Sequence, residues 1–502
     1  MSVRTLRIAS TLYLLLPVIL FVYFWFHIFY AIPLFLGYLY FVRRLFYDQS
    51  DKTERFNRDE LIYISILALI WVLASGVGGV SVQVFDHWGH NAKYNDLTIN
   101  TWPIFFFEKG QYAVYYFAYY LVPAFLSKHI LGYPSAILLF IWTALGFFIG
   151  LFWAYLLIGR NKFIFLAFPC IGGFSFFLKY LVWQHISQSL WGSPNLSGFQ
   201  SLLVQSQWVF NQMVPTLIIC GLLLYNWQRN KLVETFFGIT LLFVWAVFPA
   251  IVILLLYVSL LLRSIEFKAY FASFVSLLPL HFLAGILFLP TFIYLISSNG
   301  GIHGFIWQFE KFPDLLPKYI VGVVVELAVL WLLYLLIKDY LKGLFSEWLV
   351  GSAFVILILL SQYRVGYYND WFMRGTTPMV VILAIVILRG FSERWNQLPA
   401  RLSYLRYVIP IALLVNSPNA LSQIGRSFYK NILVVHVLQK PVFVPIPMDR
   451  YPNTYQMLLH KYTRAEANQY LGRKNSIYER YLAKPPQEVT SVSERRNQPG
   501  SL

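Results

Sequence analysis

Hydrophobic positions along this chain are grouped in long blocks, not in short alternating periods. Apolar runs of about 20 residues, the length that crosses a bilayer as a helix, recur from residue 9 to residue 416. Short polar segments that carry Lys or Arg separate these runs. The pattern predicts an all-α polytopic membrane protein with about 11 to 13 transmembrane helices.

Changes in this pattern divide the chain into three parts. Residues 1–60 predict an N-terminal helical hairpin and a basic cytoplasmic loop, because the apolar run at 9–42 is too long for one helix. Residues 61–420 form the predicted transmembrane domain, which would hold the functional site and includes a polar outer loop at 83–130. Residues 421–502 predict a small extracytoplasmic C-terminal tail that is disordered after about Pro485.

Two segments allow two interpretations each. The apolar run at 233–262 predicts either one long span or two short spans around Pro249. The aromatic-rich segment at 112–127 predicts either a helix that lies on the membrane surface or a short span.

Charged residues predict the orientation of the chain. They make up only 12% of it, against about 25% in a soluble protein, and the net charge is +17. Lys and Arg recur in every second segment between the apolar runs. This predicts that these segments are cytoplasmic loops and that the loop after residues 61–82 is extracytoplasmic. The chain is thus expected in the inner membrane of the cell, with membrane lipids and not nucleic acid as partners of its positive charge.

The densest group of polar residues follows the run at 61–82. Its members are Asp86, His87, His90, Asn91, Lys93 and Asp96. A carboxylate at this position can act as a general base, and Asp86 is preferred because it lies closest to the preceding span. Lys93 and His90 can neutralise a phosphate leaving group, while His87, Asn91 and Asp96 can contact the substrate. The alternative is a solvated loop with a helix cap, which is disfavoured because polar groups near lipid are costly.

A metal site is an alternative for part of this group. Asp86, His87 and His90 carry the carboxylate and imidazole groups that divalent metals bind, but the sequence identifies no further ligand. We therefore predict no definite cofactor and keep a divalent metal ion as an open alternative.

A second polar group contains Arg364, Asp370 and Arg374 and precedes the predicted span at 376–388. The helix dipole disfavours a cation at a helix N-terminus, so an anion is expected beside the arginine. A guanidinium and a helix N-terminus together form a phosphate site. This predicts that Arg374 binds the phosphate of a substrate that donates a group, and that Asp370 also contacts substrate. The alternative is an arginine that reaches the lipid head groups.

Neutral amides between tryptophans form a third group, comprising His185, Gln188, Gln207, Asn211 and Gln212 with Trp191 and Trp208 nearby. Amides and indoles suit sugar hydroxyls and sugar faces, so Gln207 and Gln212 are predicted to bind substrate. Hydrogen bonding between helices is an equally good explanation. Glu326 within a span, and Glu310 and Asp314 in the third outer loop, are secondary candidates.

Several of these segments together resemble one known superfamily. An acid in the first large outer loop of a protein with many spans resembles the C-type glycosyltransferases (GT-C), which include protein O-mannosyltransferases and the lipid A aminoarabinose transferase. The matching stretches are residues 86–96 with Trp102 and Pro103, residues 207–215, and residues 370–374 with Pro378. They resemble poorly characterised bacterial members most. The chain lacks that superfamily's clear paired-acid motif and large soluble domain, which leaves metal use and acceptor open.

What the resemblance implies is transfer of a sugar from a polyprenyl-phosphate or polyprenyl-diphosphate donor on the outer face of the membrane. The acceptor would be an envelope glycan, a lipid or a protein. The loop acid of the superfamily would correspond to Asp86, and phosphate binding to Lys93 and Arg374. The alternatives are a transporter or flippase of lipid-linked sugars, and a polysaccharide polymerase or ligase.

Overall fold

The computed structural model describes residues 1–48, 54–174, 199–264, 269–366, 369–397 and 444–487, with the single positions 425 and 429. The helices in the first half are α1 (Val3–Trp25), α2 (Ile28–Tyr47), α3 (Arg58–Ser75), α4 (His87–Ile99), α5 (Ala118–Leu126), α6 (Ala136–Leu157), α7 (Lys162–Phe165), α8 (Leu202–Trp208) and α9 (Phe210–Gln228). Those that follow are α10 (Thr235–Trp245), α11 (Val247–Ser264), α12 (Ala269–Ile296), α13 (Phe312–Tyr319), α14 (Val325–Leu335), α15 (Glu347–Leu360), α16 (Asp370–Gln397), α17 (Thr454–Lys461) and α18 (Arg464–Asn468).

Six helical segments in the described part of the chain are long and apolar enough to cross a membrane. They are Val3–Trp25, Ile28–Tyr47, Ala136–Leu157, Leu278–Ile296, Phe312–Leu335 and Asp370–Trp395. Shorter apolar helices are Leu232–Trp245, Val247–Arg263 and Glu347–Leu360. This agrees with the predicted all-α membrane protein. The count is below the predicted number of about 11 to 13, and two of the apolar runs of the sequence, at 163–183 and 404–416, lie partly or wholly outside the described residues.

The apolar run at 9–42 forms the predicted hairpin. Helix α1 ends at Phe26, whose backbone is extended, and α2 begins after His27. The His27 N–H donates to the carbonyl oxygen of Leu482 at 2.8 Å, so the C-terminal segment holds the tip of the hairpin. Both helices are thereby fixed at the end of the bundle that carries the polar group of α4.

The run at 233–262 forms two helices, α10 and α11. They meet at Ala246, whose extended backbone (φ −162°, ψ 93°) interrupts the helix. Pro249 lies in the first turn of α11. Backbone N–H groups of the first turn have no partner within the helix, so proline, which lacks this group, breaks no hydrogen bond there. Of the two interpretations, the one with two short helices is correct.

The aromatic-rich segment at 112–127 matches neither interpretation. Its helix, α5, has nine residues and rises about 14 Å, too little to cross a bilayer. Residues 118–124 are all buried, and Tyr119 and Tyr120 have no exposed surface. The tyrosines therefore pack inside the end of the bundle that carries α4 and do not lie on its surface. We call this end the outer end and the opposite one the inner end, after the orientation that the sequence predicts.

The C-terminal segment 444–487 packs back onto the outer loops. Two small antiparallel pairs mark this end, β1 (Phe105–Phe106) with β2 (Gln111–Tyr112), and β3 (His303–Phe305) with β4 (Tyr363–Val365). Isolated bridges join Leu471 to Ala113, Gly472 to Ser298 and Ala483 to Phe26. The segment is thus part of the packed outer end, whereas most of the region after Pro485, predicted to be disordered, lies outside the described residues.

Candidate active site

The polar group after residue 82 is a buried helix, not the loop that the sequence predicted. Glycines with positive φ at Gly76, Gly78 and Gly79 end α3 and turn the chain, as only glycine does at little cost. Helix α4 then begins after Asp86, and 11 of its 13 residues are buried. Its polar groups can be buried because the C-terminal segment and α5 supply their hydrogen-bond partners.

Asp86 lies at the start of α4, partly exposed and facing the C-terminal segment. The Tyr462 hydroxyl donates to its Oδ1 at 3.2 Å. Burial raises the pKa of the Asp86 carboxyl, while the positive charge of Arg374, the Tyr462 hydrogen bond and Lys93 act to lower it. The result is a carboxylate that accepts a proton more readily than an ordinary aspartate.

Lys93 lies about two turns further along α4 and is 4% exposed. Its Nζ lies 4.4 Å from the ring centre of Tyr115 and 5.3 Å from that of Tyr470, and it donates to the Tyr470 hydroxyl at 3.4 Å. Burial, and secondly the charge of Arg374, lower the pKa of Lys93 to about 7. The amine is held by aromatic faces and a hydroxyl, which leaves it able to bind an anion.

Asp370 and Arg374 occupy the first turns of α16. Asn369, with φ 53°, turns the chain, and its Oδ1 accepts from the Phe372 N–H at 3.3 Å, which begins the helix. Arg374 Nη2 lies 2.9 Å from Asp370 Oδ1, and these side chains are 17% and 23% exposed. The anion expected beside Arg374 is therefore at least partly the Asp370 carboxylate, which lies one helical turn away.

Tyr116 connects this pair to α9. Its hydroxyl accepts hydrogen bonds from Arg374 Nη1 and, at 3.0 Å, from Gln212 Nε2. Its ring stacks on Tyr115 with centroids 3.9 Å apart, and Tyr115 stacks in turn on Tyr470. A continuous contact path therefore runs from the Arg374 guanidinium to the Lys93 amine.

The structure brings Asp86, Lys93, Asp370 and Arg374 into one cluster. The charges of Arg374 and Asp370 act on both Asp86 and Lys93, which requires the ends of α4 and α16 to be close in space. Lys93 lies deepest and the other three groups are partly exposed, so a ligand can reach the cluster. We call these four side chains the charged cluster.

His90, predicted to bind phosphate, has protein partners at both ring nitrogens. Its Nε2 lies 2.9 Å from the Trp208 carbonyl oxygen, which can only accept, so Nε2 carries the proton. Nδ1 accepts from the Tyr120 hydroxyl, and burial keeps the pKa of the ring well below its usual value. The neutral ring has both nitrogens occupied and joins α4 to α5 and α8.

His87, predicted to contact the substrate, packs between α3 and α4. The ring is fully buried, its Nδ1 lies 3.2 Å from the Val84 carbonyl oxygen, and its Nε2 faces the backbone at Ser75 and Gly76. Burial lowers the pKa of His87 to about 4, so the ring is neutral at physiological pH. It fills the turn between α3 and α4.

Asn91 and Asp96, predicted to contact the substrate, hold the C-terminal segment. Asn91 Nδ2 donates to the Ile446 carbonyl oxygen at 2.7 Å. Asp96 Oδ2 accepts from the Thr454 N–H at 2.7 Å, which caps α17 from another helix. Burial raises the pKa of Asp96 to about 7, consistent with a structural carboxyl.

The metal alternative is not supported by the arrangement of these side chains. Within the described residues, no three His, Cys, Asp or Glu side chains form a group that could hold a metal ion. Both ring nitrogens of His90 contact protein groups, as does Nδ1 of His87, whereas His87 Nε2 has no hydrogen-bond partner in the described part of the chain.

Gln207 and Gln212 are buried beside the cluster with unused hydrogen-bonding capacity. Gln207 Nε2 donates to the Ala74 carbonyl oxygen at 2.8 Å, as expected for hydrogen bonding between helices. The Oε1 atoms of both glutamines and both polar side-chain atoms of Asn211 have no hydrogen-bond partner in the described part of the chain. Such atoms cost about 1–3 kcal/mol each if they remain unpaired, so they are suited to bind ligand hydroxyl groups.

The remaining candidates lie elsewhere. Arg364 donates from Nε to the Gly366 carbonyl oxygen at 3.1 Å and lies over the Phe309 ring, which holds it in the β3–β4 region. Glu310 pairs with Lys318, Asp314 lies in the first turn of α13, and Glu326 is fully buried in α14. The predicted His185 and Gln188 lie outside the described residues.

Sequence reasoning missed the tyrosines that link the charged groups, namely Tyr115, Tyr116, Tyr462 and Tyr470. Tyr115 and Tyr116 belong to the segment that was predicted to be either a surface helix or a short span, and Tyr462 and Tyr470 to the tail. A chain with 35 tyrosines gives no reason to select these four. The increase in polar residues after residue 444 was the available signal that this segment packs on a polar surface.

Comparison of the chain with protein-family models, curated proteins and solved structures found no match.

Proposed function

We propose that this protein is a membrane glycosyltransferase that moves a sugar from a polyprenyl-phosphate donor to an acceptor hydroxyl on the extracytoplasmic face. The observation that carries the proposal is the charged cluster, in which a carboxylate with a raised pKa lies within the electrostatic reach of a lysine and an arginine. A base and a phosphate site side by side are the two parts that glycosyl transfer from a phosphate donor requires.

In the proposed reaction, the acceptor hydroxyl oxygen attacks the anomeric carbon while Asp86 removes the hydroxyl proton. The bond between the anomeric carbon and the phosphate oxygen breaks, and its electron pair remains on that oxygen. Arg374 and the protonated Lys93 stabilise the charge that develops there. The products are the new glycoside and the polyprenyl phosphate, and no oxidant or reductant is needed.

The charge of the cluster favours a donor with one phosphate over a diphosphate. Arg374 already shares its charge with Asp370, and the pKa of Lys93 is about 7, so little excess positive charge is present. A bound phosphate would raise the pKa of Lys93 and so protonate it. The single negative charge of a phosphate-linked donor matches this small excess of positive charge, whereas a diphosphate would need a further cation.

The sugar would lie towards α9. Gln212 contacts the same Tyr116 hydroxyl as Arg374, so a sugar attached to the bound phosphate would be near the Gln212 amide. The unpartnered Gln212 Oε1 and the side chain of Asn211 could then accept and donate to sugar hydroxyls. This keeps Gln212 in the role that its sequence context predicted.

The proposal includes a C-type glycosyltransferase architecture and an outer-facing site in the inner membrane. Resemblance of the short segments around Asp86 and Arg374 to that superfamily supports the architecture. The positions of Lys and Arg along the sequence support the orientation. The acceptor class, whether glycan, lipid or protein, is left to experiment.

The test uses the full-length protein in proteoliposomes with a panel of radiolabelled polyprenyl-phosphate hexoses and pentoses. We expect one donor to lose its sugar and to yield free polyprenyl phosphate, slowly to water and faster when membrane extract supplies an acceptor. Movement of an intact donor across the bilayer without any change in the lipid would overturn the proposal in favour of a flippase. Elongation of one labelled glycan by repeated units would indicate a polymerase.

A further inference from the structure

A cavity lies at the end of the bundle opposite the charged cluster. It has a volume of about 380 Å³ and is bordered by the inner ends of α1, α2 and α9, the start of α10, and α12. Arg7 in the second turn of α1 lines it, whereas Trp25 at the other end of α1 contacts the outer segment through Trp102. These 18 residues of helix span about 27 Å, so the cavity is a separate site.

One half of the cavity is charged. Three cations, Arg7, Arg44 and Lys231, line it together with two carboxylates, Asp48 and Glu234, which leaves one positive charge in excess. The carboxylates lie 2.7 Å and 3.6 Å from the Arg7 guanidinium, and Lys231 lies 3.4 Å from Asp48. The net charge favours an anion in this half.

Arg44 is the cation best placed to supply that charge. Its side chain is exposed at the end of α2 and, within the described residues, makes no hydrogen bond or ion pair. Its neighbour Arg43 is also exposed, but it lies over the Tyr47 ring and does not line the cavity. Two adjacent arginines of α2 therefore differ in whether they face this site.

The other half of the cavity is apolar. Phe41 and Phe237 stack face to face with centroids 4.0 Å apart, and Leu14, Leu241 and Leu280 continue the wall. The candidate spans Ile28–Tyr47 and Leu278–Ile296 are among the least buried ones, with 17% and 22% of an 18-residue window of each buried, so the apolar half adjoins surfaces suited to face lipid. An occupant of this cavity needs an anionic group and an apolar chain together.

We propose that this cavity binds an anionic phospholipid of the inner leaflet. Its phosphate contacts Arg44 and Lys231, and the first part of an acyl chain lies along Phe41, Phe237 and Leu280. The predicted orientation puts this end in the leaflet where anionic lipids attract basic residues. The acyl chain accounts for the apolar half, which a free phosphate would leave empty.

The test is lipid binding by the delipidated full-length protein in a mild detergent, measured by native mass spectrometry with phosphatidylglycerol and with phosphatidylcholine. We expect one tightly retained phosphatidylglycerol and at least about tenfold weaker retention of phosphatidylcholine, the effect of one charge-assisted contact. Arg44→Gln should lose this preference, while the matched Arg43→Gln should keep it. Leu280→Trp, which fills the apolar half without changing charge, should also weaken retention.

Four results would overturn the proposal. Equal losses in Arg43→Gln and Arg44→Gln would indicate diffuse attraction to a basic surface. Equal retention of both lipids, which carry the same phosphate, would show that the site does not select an anionic lipid. Displacement of the lipid by millimolar glycerol 3-phosphate would indicate a site for a free phosphate. Unchanged binding by Leu280→Trp would exclude the acyl chain from the cavity. None of these results depends on sugar transfer, so the two proposals can fail separately.

Discussion

The two ends of the helical bundle hold their charged residues in different ways. At the inner end, arginines contact carboxylates directly, as where Glu54 joins Arg160 at 3.2 Å and Arg229 at 2.9 Å. At the outer end, Asp86 and Lys93 have tyrosine hydroxyls as their nearest partners. A direct ion pair uses the charge of both members, whereas a hydroxyl orients a charged group and leaves its charge available.

One helix carries an ion pair near each of its ends and so provides an internal control. Near its start, α16 has Asp370 and Arg374, and near its end it has Arg389 and Glu393, at the same spacing of four residues. The two pairs have similar exposures and distances of 2.9 Å and 2.7 Å. Only Arg374 has additional contact with a tyrosine that reaches a second charged group. Under the proposed function, only the outer pair takes part in transfer.

The largest contrast is expected between Arg374→Gln and Arg389→Gln. Removing the outer arginine should lower kcat/KM for the donor by about 10²–10³, the loss typical of one donor to a developing anion. Removing the inner arginine should leave transfer unchanged. Each variant should lose only about 1 kcal/mol of stability, because each pair is partly exposed. Donor cleavage and thermal unfolding of both variants measure this, and equal activity in the two would contradict the comparison.

The pH dependence of the outer end should be bell-shaped. Activity should fall at low pH as Asp86, whose pKa is raised by burial, takes up a proton and ceases to be a base. It should fall above about pH 7 in kcat/KM as Lys93 loses its proton. Lys93→Arg keeps the charge at all these values, so the alkaline decrease should disappear even if the maximal rate is lower. An unchanged alkaline decrease in this variant would exclude Lys93 as its source.

Tyr462 should act as a positioning residue for Asp86. Tyr462→Phe removes the hydrogen bond that favours the carboxylate form, so the pKa of Asp86 should rise and the acid decrease should move to higher pH. We expect kcat to fall by about three- to tenfold, the value of one hydrogen bond. Tyr455→Phe is the control, because its hydroxyl donates to Asn468 in the same segment. A purely structural role would lower stability in both variants and move the pH profile in neither.

The smallest effect is expected at the inner end. Glu54→Gln weakens two ion pairs with partly exposed arginines, so the loss of stability should be about 1 kcal/mol or less. Sugar transfer should stay at the wild-type rate, measured in the same proteoliposomes. A large loss of transfer would mean that the two ends are coupled and that the comparison is wrong.

The sequence pattern predicted the helices well where apolar length decides the structure. The hairpin of α1 and α2 and the helix α6 follow from apolar runs whose ends carry polar residues or an interruption of the helix. The pattern could not show that residues 118–124 are buried, because aromatic residues suit both a membrane surface and a protein interior. That distinction depends on packing with elements distant in sequence.

The sequence pointed to the candidate site only in part, again because contacts between segments distant in sequence cannot be deduced from the pattern. Asp86, Lys93 and Arg374 were selected because charge is scarce in this chain, and the structure brings these three together. His90 and Asp96 met the same criterion, but their partners, Trp208 and Thr454, lie in segments that sequence alone does not bring close to α4. Polar residues near lipid can be identified from sequence, but whether they serve a ligand or the fold depends on tertiary contacts.

The central claim, that Asp86 is the base of a sugar transfer, is tested most directly by two substitutions in α4. Asp86→Asn should lower the rate of donor cleavage by about 10²–10⁴, while Asp96→Asn, which keeps an oxygen to accept from the Thr454 N–H, should cleave the donor at nearly the wild-type rate. Both proteins are compared in the same proteoliposomes after their melting temperatures are shown to match. A folded Asp86→Asn protein that cleaves the donor as fast as Asp96→Asn would contradict the assignment.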